Sequence, residues 1–205
     1  AGLINPVYAI VEYCLLVIIG LGTAWVVGKL FLFFSALLLI MGVLYNAPPI
    51  RLKDRFFMDV LSESFNNPLR FFLGWHIVEK IYLPPSSILL AYWFGGAFLM
   101  AVKRYAEYKR INDPTCAGLY RRSFRFYSEN SLLLSMFFYA MNAALFLGVF
   151  LVKYRIEFIL SFPFIASLFT WYAWYGLRKD TAVENPEKLY MKWKFLLYTI
   201  FVVIL

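Results

Sequence analysis

The sequence predicts an all-α integral membrane protein, and three observations carry the prediction. The 205 residues are 62% apolar and 21% aromatic but only 16% charged. Mean hydropathy is +0.69. Apolar runs long enough to cross a bilayer recur along the whole chain. A soluble domain is about 45–50% apolar and about 25% charged, so both a soluble globular protein and a disordered chain are excluded. Cys14 and Cys116 are two and far apart, which excludes a disulfide scaffold. No strand-period pattern is sustained, which argues against a β-barrel.

A bilayer core takes roughly 20 apolar residues per helix. Seven spans meet or approach that length, at 8–27, 30–46, 56–78, 86–102, 131–152, 157–177 and 190–205. The second and seventh are short. The chain reads as one transmembrane domain, 1–205, whose longest polar segment, 103–130, is expected to be a loop between the fourth and fifth spans. Lys and Arg then segregate. Fifteen of the 20 lie in 47–55, 103–130 and 178–194, four lie on the other side, and Arg70 falls inside the third span. The basic side is therefore expected to face the cytoplasm, or an organelle matrix or stroma. The formal net charge of +8 fits basic loops and phosphate-bearing substrates in a membrane protein, and nucleic acid is not expected as a partner. The chain opens on Ala1-Gly2 without Met and closes inside an apolar run, so a fragment or processed chain is expected.

The third span is the most informative. Asp59, Glu63, Asn66, Asn67 and Arg70 fall on one helical face of 56–78. A charge at mid-membrane costs at least about 2.5–3.5 kcal/mol, so this stripe is expected to face a protein interior or a wet cavity. Two readings compete: an internal salt-bridge network such as Glu63 with Arg70, or a polar cavity wall. Pro68 removes a backbone donor and frees a carbonyl near Ser64.

Segment 103–130 opens Lys103-Arg-Tyr-Ala-Glu-Tyr-Lys-Arg110, where Lys103, Glu107 and Arg110 share a helical face. Further on, Arg121 and Arg125 are spaced i, i+4. Its seven cations suit phosphate oxygens, or equally anionic lipid headgroups. The stretch Tyr45-Asn-Ala-Pro-Pro-Ile-Arg-Leu-Lys53 predicts an extended exit from the second span that holds Arg51 and Lys53 at the surface. His76 is the only histidine and no acid is placed to orient it. No CxxC, HExxH, Walker A, GxSxG or GxGxxG pattern occurs. The aromatic residues suit lipid-facing and belt positions, and Tyr105 and Tyr127 are candidates to line a polyprenyl tunnel.

Together these residues resemble the UbiA superfamily of intramembrane prenyltransferases. Tyr45-x-x-Pro-Pro-x-Arg-x-Lys53 is similar to the signature after that family's fourth helix. The basic segment after the fourth span sits where the family places its second catalytic motif. The resemblance implies a nine-helix fold, of which the seven spans match helices three to nine. Lys103-Arg-Tyr-Ala-Glu107, Arg122, Tyr127, the Asp59 and Arg70 pair, and Asn185-Pro186-Glu187 resemble the branch that makes polyprenyl-phosphoryl phosphoribose. Two departures stand out: the family's first motif, NDxxDxxxD, is absent, and Lys192-Trp-Lys194 stands where an acid is expected.

The resemblance implies phosphoribosyl transfer from phosphoribosyl pyrophosphate to a polyprenyl phosphate, with Mg²⁺ as cofactor. It casts Glu107, Lys103 and Asp59 as catalytic, with Glu107 also a metal ligand. It casts Arg51, Lys53, Asn66, Asn67, Arg70, Tyr105, Arg121, Arg122 and Tyr127 as substrate-binding. The alternatives are prenyl transfer from a prenyl diphosphate to an aromatic or quinone-precursor acceptor, and a non-catalytic subunit of a larger membrane complex. Membrane lipid is an expected partner in each case.

Overall fold

The computed structural model describes residues 5–178 and 182–205, and these form helices, turns and short connections without a strand. The opening residues 1–4, including Ala1-Gly2, and Lys179 of the charge pattern lie outside the described residues. Helix α1 (Pro6–Val27) starts where Asn5 accepts the Val7 N–H at 3.0 Å and Pro6 takes the first helical position. It stops at Gly28, whose φ of 153° is open to glycine and rarely to other residues. Helix α2 (Lys29–Asn46) follows at once.

Five segments are long and apolar enough to cross a membrane: Val7–Val27, Lys29–Asn46, Ser86–Ile111, Glu129–Tyr154 and Ile156–Leu177. The other two expected spans differ from expectation. The third is broken at Phe65 into α3 (Met58–Ser64) and α4 (Asn66–Val78). Pro68 is the physical reason, since it cannot donate to the Ser64 carbonyl. The seventh holds only α9 (Trp193–Ile204), entered through a 3₁₀ turn at Pro186–Met191. At about 1.5 Å per residue α9 covers roughly 18 Å, well short of a bilayer core of about 30 Å.

The expected loop 103–130 is mostly helical. Helix α5 (Ser86–Ile111) runs about two and a half turns past position 102 and ends at Asn112 in the left-handed region. Asp113 then accepts the Thr115 and Cys116 N–H groups at 2.8 and 3.4 Å and starts α6 (Pro114–Tyr120). Arg122–Arg125 is a 3₁₀ turn, so Arg121 and Arg125 do not share an α-helical face as expected. Ser128 and Ser131 exchange side chain-to-backbone hydrogen bonds at 3.1 and 2.8 Å and start α7 (Glu129–Tyr154). A 3₁₀ turn, Ile156–Ser161, leads into α8 (Phe162–Leu177). The expected extended exit after α2 is instead a turn. The Pro48–Pro49 bond is cis, Arg51 takes a φ of 40°, and its N–H reaches the Ala47 carbonyl at 3.0 Å.

Helix α5 organises the molecule. It packs against α3, α4, α7 and α8, while α2 joins α1 to α4, and α9 leans on α8. Its buried face mixes small residues (Ala97, Ala101, Val102, Ala106) with Phe98 and Tyr105, and clusters with Leu132, Met136 and Tyr139 of α7. Small residues let membrane helices approach closely, where packing replaces the hydrophobic drive available in water. Gly176 of α8 sits so near Val102 that an added Cβ would lie 2.5 Å from its Cγ1. The large exposed apolar side chains of α1, α2, α7 and α8 suit contact with lipid.

Candidate functional site

One end of α5 carries a buried charge cluster. Arg104 is 3% exposed and faces three carboxylates. Its Nη1 donates to Glu107 Oε2 at 3.1 Å and its Nη2 to Glu63 Oε2 at 3.1 Å, while Nε lies 3.6 Å from Asp59 Oδ2. Glu63 also accepts from the Tyr45 hydroxyl at 2.7 Å. Asp59 is fully buried and accepts from Tyr127 at 2.7 Å and Ser123 at 3.1 Å, with Arg121 Nη1 at 3.6 Å. The cluster thereby joins α2, α3, α5 and the 121–127 segment. A buried charge persists only when paired and hydrogen-bonded in this way.

Tyr127 locks the adjoining backbone. Its oxygen accepts the Phe57 N–H at 2.9 Å while its hydroxyl serves Asp59. Phe57 has a φ of 58°, a strained conformation for a bulky residue that the surroundings must hold. Burial first, and then the Asp59 charge and hydrogen bond, push the Tyr127 hydroxyl pKa above its ordinary value.

Further cations stand on the adjoining segments, and Arg121 is the one that reaches the cluster, through Asp59. Arg51 Nε and Arg122 Nη1 approach Asp54 Oδ2 at 3.1 and 3.8 Å. Lys53 donates to Asn46 at 3.0 Å. Lys103 is half-buried, and no carboxylate lies within ion-pair distance among the described residues. Tyr105 donates to Glu129 at 2.7 Å and accepts from Lys109 at 3.0 Å, and Arg110 reaches Glu184 at 2.8 Å.

Beyond the cluster along α5 lies an apolar cavity of about 700 Å³. Ala91, Gly95 and Leu99 of α5, Phe137, Ala140 and Ala144 of α7, and Ile165 and Phe169 of α8 line it, with Asn67 as a polar contributor. Asn67 is pressed against Gly96, where an added Cβ would meet its Nδ2 at 2.1 Å. From Leu99 to Arg104 and Glu107 is about 8 to 12 Å along the helix axis.

Several expected roles change on this geometry. Arg70 is exposed and meets no carboxylate among the described residues; Glu63 pairs with Arg104 instead of Arg70, which stands about two helical turns away. Tyr105 and Tyr127 are buried outside the apolar cavity, so neither lines it. Asn66 is half-buried with its Oδ1 unpartnered. Arg104, Ser123 and Asp54 are functional neighbours to which the sequence assigns no role, and Tyr45 entered only as part of the Pro-Pro signature. The usable signal for Arg104 was its i, i+3 spacing to Glu107 on one helix, overshadowed by the Lys103–Glu107 spacing.

The fold and site define a polytopic helical membrane protein with a charged centre and an apolar cavity in series along one helix. A model of the UbiA prenyltransferase family matches residues 1–196, and the chain belongs to that family. Comparison with curated proteins and with solved structures gave no match. The family carries out prenyltransferase-type reactions on prenyl phosphate substrates in the membrane and is generally Mg²⁺-dependent through Asp-rich motifs. The described residues do not fit that ion. No group of three His, Cys, Asp or Glu among them gathers as a ligand set, and both Asp59 oxygens already accept hydrogen bonds.

Proposed function

We propose that the chain transfers a phosphoribosyl group from phosphoribosyl pyrophosphate to a polyprenyl phosphate. The observation that carries this reading is the series arrangement on α5: an apolar cavity, then within about three turns a charged centre, with Arg51, Arg121 and Arg122 on the segments that adjoin it. That arrangement suits an amphiphile with a long apolar tail and an anionic head. The polyprenyl tail lies in the cavity and its phosphate reaches the cations Arg51, Lys53, Lys103, Arg121 and Arg122.

A phosphate oxygen of the polyprenyl phosphate attacks the anomeric carbon of the ribose. The new C–O bond forms as the bond to pyrophosphate breaks, and pyrophosphate leaves with the electron pair. Negative charge grows on the departing group, and guanidinium and ammonium groups fixed in advance stabilise it. Arg51 and Arg122 are held by Asp54, and Arg121 by Asp59, so these cations are oriented before substrate arrives. This basic set suits two phosphorylated substrates better than an aromatic acceptor.

The test is transfer in membranes that contain the full-length protein, supplied with radiolabelled phosphoribosyl pyrophosphate and polyprenyl phosphate. Label appearing in the lipid fraction supports the proposal. Labelled prenyl transfer to an aromatic acceptor, with none from the phosphoribosyl donor, refutes it in favour of the aromatic prenyltransferase reading. No transfer of either kind points to a non-catalytic subunit.

A further inference from the structure

We infer that Arg104 supplies the cation of the buried carboxylate cluster, and that Glu107 is a positioning residue rather than a metal ligand. A guanidinium is a planar fork whose N–H groups point to separate corners. Here each corner has its own acid: Nη1 meets Glu107 at 3.1 Å, Nη2 meets Glu63 at 3.1 Å and Nε faces Asp59 at 3.6 Å. A hard divalent ion needs the opposite arrangement, with several oxygens converging on one point at about 2.0–2.6 Å. These acids stand around a fork several ångströms wide, and no three of them meet at a point. Arg104 is also 3% exposed, with an Nε that has no hydrogen-bond partner, so its charge is committed inward rather than offered to substrate.

Asp59 and Glu63 belong to α3, whereas Arg104 and Glu107 belong to α5. The cluster is therefore a metal-independent latch between the two helices, and through Asp59 it also holds Arg121. The inference goes beyond the transfer reading and stands without it, since its readouts are metal binding and stability.

The experiment uses the full chain in lipid nanodiscs, with Mn²⁺ as the probe followed by electron paramagnetic resonance. Wild type and Glu107→Gln are expected to bind Mn²⁺ alike, and the wild-type unfolding midpoint is expected to be the same in magnesium and in EDTA. Arg104→Gln should lower the midpoint, and adding Glu107→Gln should recover part of that loss by removing one of the three uncompensated charges. A Mn²⁺ site present in wild type and lost in Glu107→Gln overturns the inference, as does a double variant that recovers nothing. Should Arg104→Gln not fold, folding of the double variant is the same recovery, and the Mn²⁺ comparison of wild type with Glu107→Gln decides by itself.

Discussion

Tyr127 connects two buried groups through one oxygen, the Asp59 carboxylate and the Phe57 N–H. Tyr127→Phe removes both bonds and leaves polar atoms unsatisfied, at an expected cost of about 1–3 kcal/mol measured by unfolding in detergent. Its pH dependence follows from the raised hydroxyl pKa. The unfolded chain titrates near pH 10, so the stability Tyr127 contributes is whole below that value. It is lost as pH rises from about 10 towards the folded pKa, because only the unfolded state releases the proton. Wild type should therefore lose more stability than Tyr127→Phe between about pH 9 and 11. Equal alkaline losses would remove Tyr127 from the account. Arg104→Gln is a larger lesion, about 3–5 kcal/mol, because three carboxylates lose their common partner. The acids of this cluster were legible in the sequence, since Asp59 and Glu63 stand in an apolar span that lipid would reject. Their partner was not. Arg104 lies among seven cations between 103 and 130, and charge counting treats these alike. Its i, i+3 spacing to Glu107 is a weak mark, and the packing of α3 on α5 is what singles it out as the partner of Asp59 and Glu63.

At the scale of elements, close approach decides more than hydropathy does. Gly176 of α8 packs on Val102, whose β-branched side chain has little freedom to move. Gly176→Ala is expected to cost about 1–3 kcal/mol through overpacking, whereas Gly148→Ala, where nothing stands within 4 Å, should cost none. Thermal unfolding of the two variants side by side checks this, and equal losses would show that the α5–α8 contact is loose. The same contrast explains which element boundaries could be read in advance. The start of α1 at Asn5-Pro6 and the break near Phe65 before Pro68 had local marks in backbone chemistry, although the expected spans began at 8 and ran unbroken over 56–78. The extension of α5 to Ile111 has no such mark. Hydropathy registers where lipid ends, at about position 102, and the helix continues beyond it as a polar stalk that carries Arg104 and Glu107. The shortening of the last span to α9 did leave a mark in the sequence, since Lys192 and Lys194 interrupt the apolar run and Pro186, Glu187 and Lys188 stand in the 3₁₀ turn.

For the whole molecule, ion pairs between distant segments fix which parts share a side. Arg122 meets Asp54 and Arg110 meets Glu184, so 51–55, 110–122 and the segment before α9 lie together. The chain between the first two must leave and return, outward through the broken α3–α4 pair and back through α5. Helices α7 and α8 make the second excursion. The basic segments found by charge counting are thus one surface, and Lys and Arg retention predicts that it faces the cytoplasm. Cys116 reports on this surface: it is exposed in α6, while Cys14, in α1, can be replaced by Ser to leave a single thiol. Asp113 beside it raises the Cys116 pKa through a hydrogen bond and its charge, so labelling needs mildly alkaline buffer. A membrane-impermeant maleimide should label Cys116 in inverted vesicles and not in right-side-out ones, and the reverse pattern would invert the whole topology. The cavity then opens a second test on the same preparation. Ala140→Phe places a ring among the residues that line it, and long-chain polyprenyl phosphate should become a poorer substrate by tenfold or more while a short-chain analogue is spared. Equal losses for both would place the tail elsewhere, because a ring added to a 700 Å³ cavity removes room for chain length and leaves the charged end of α5 untouched.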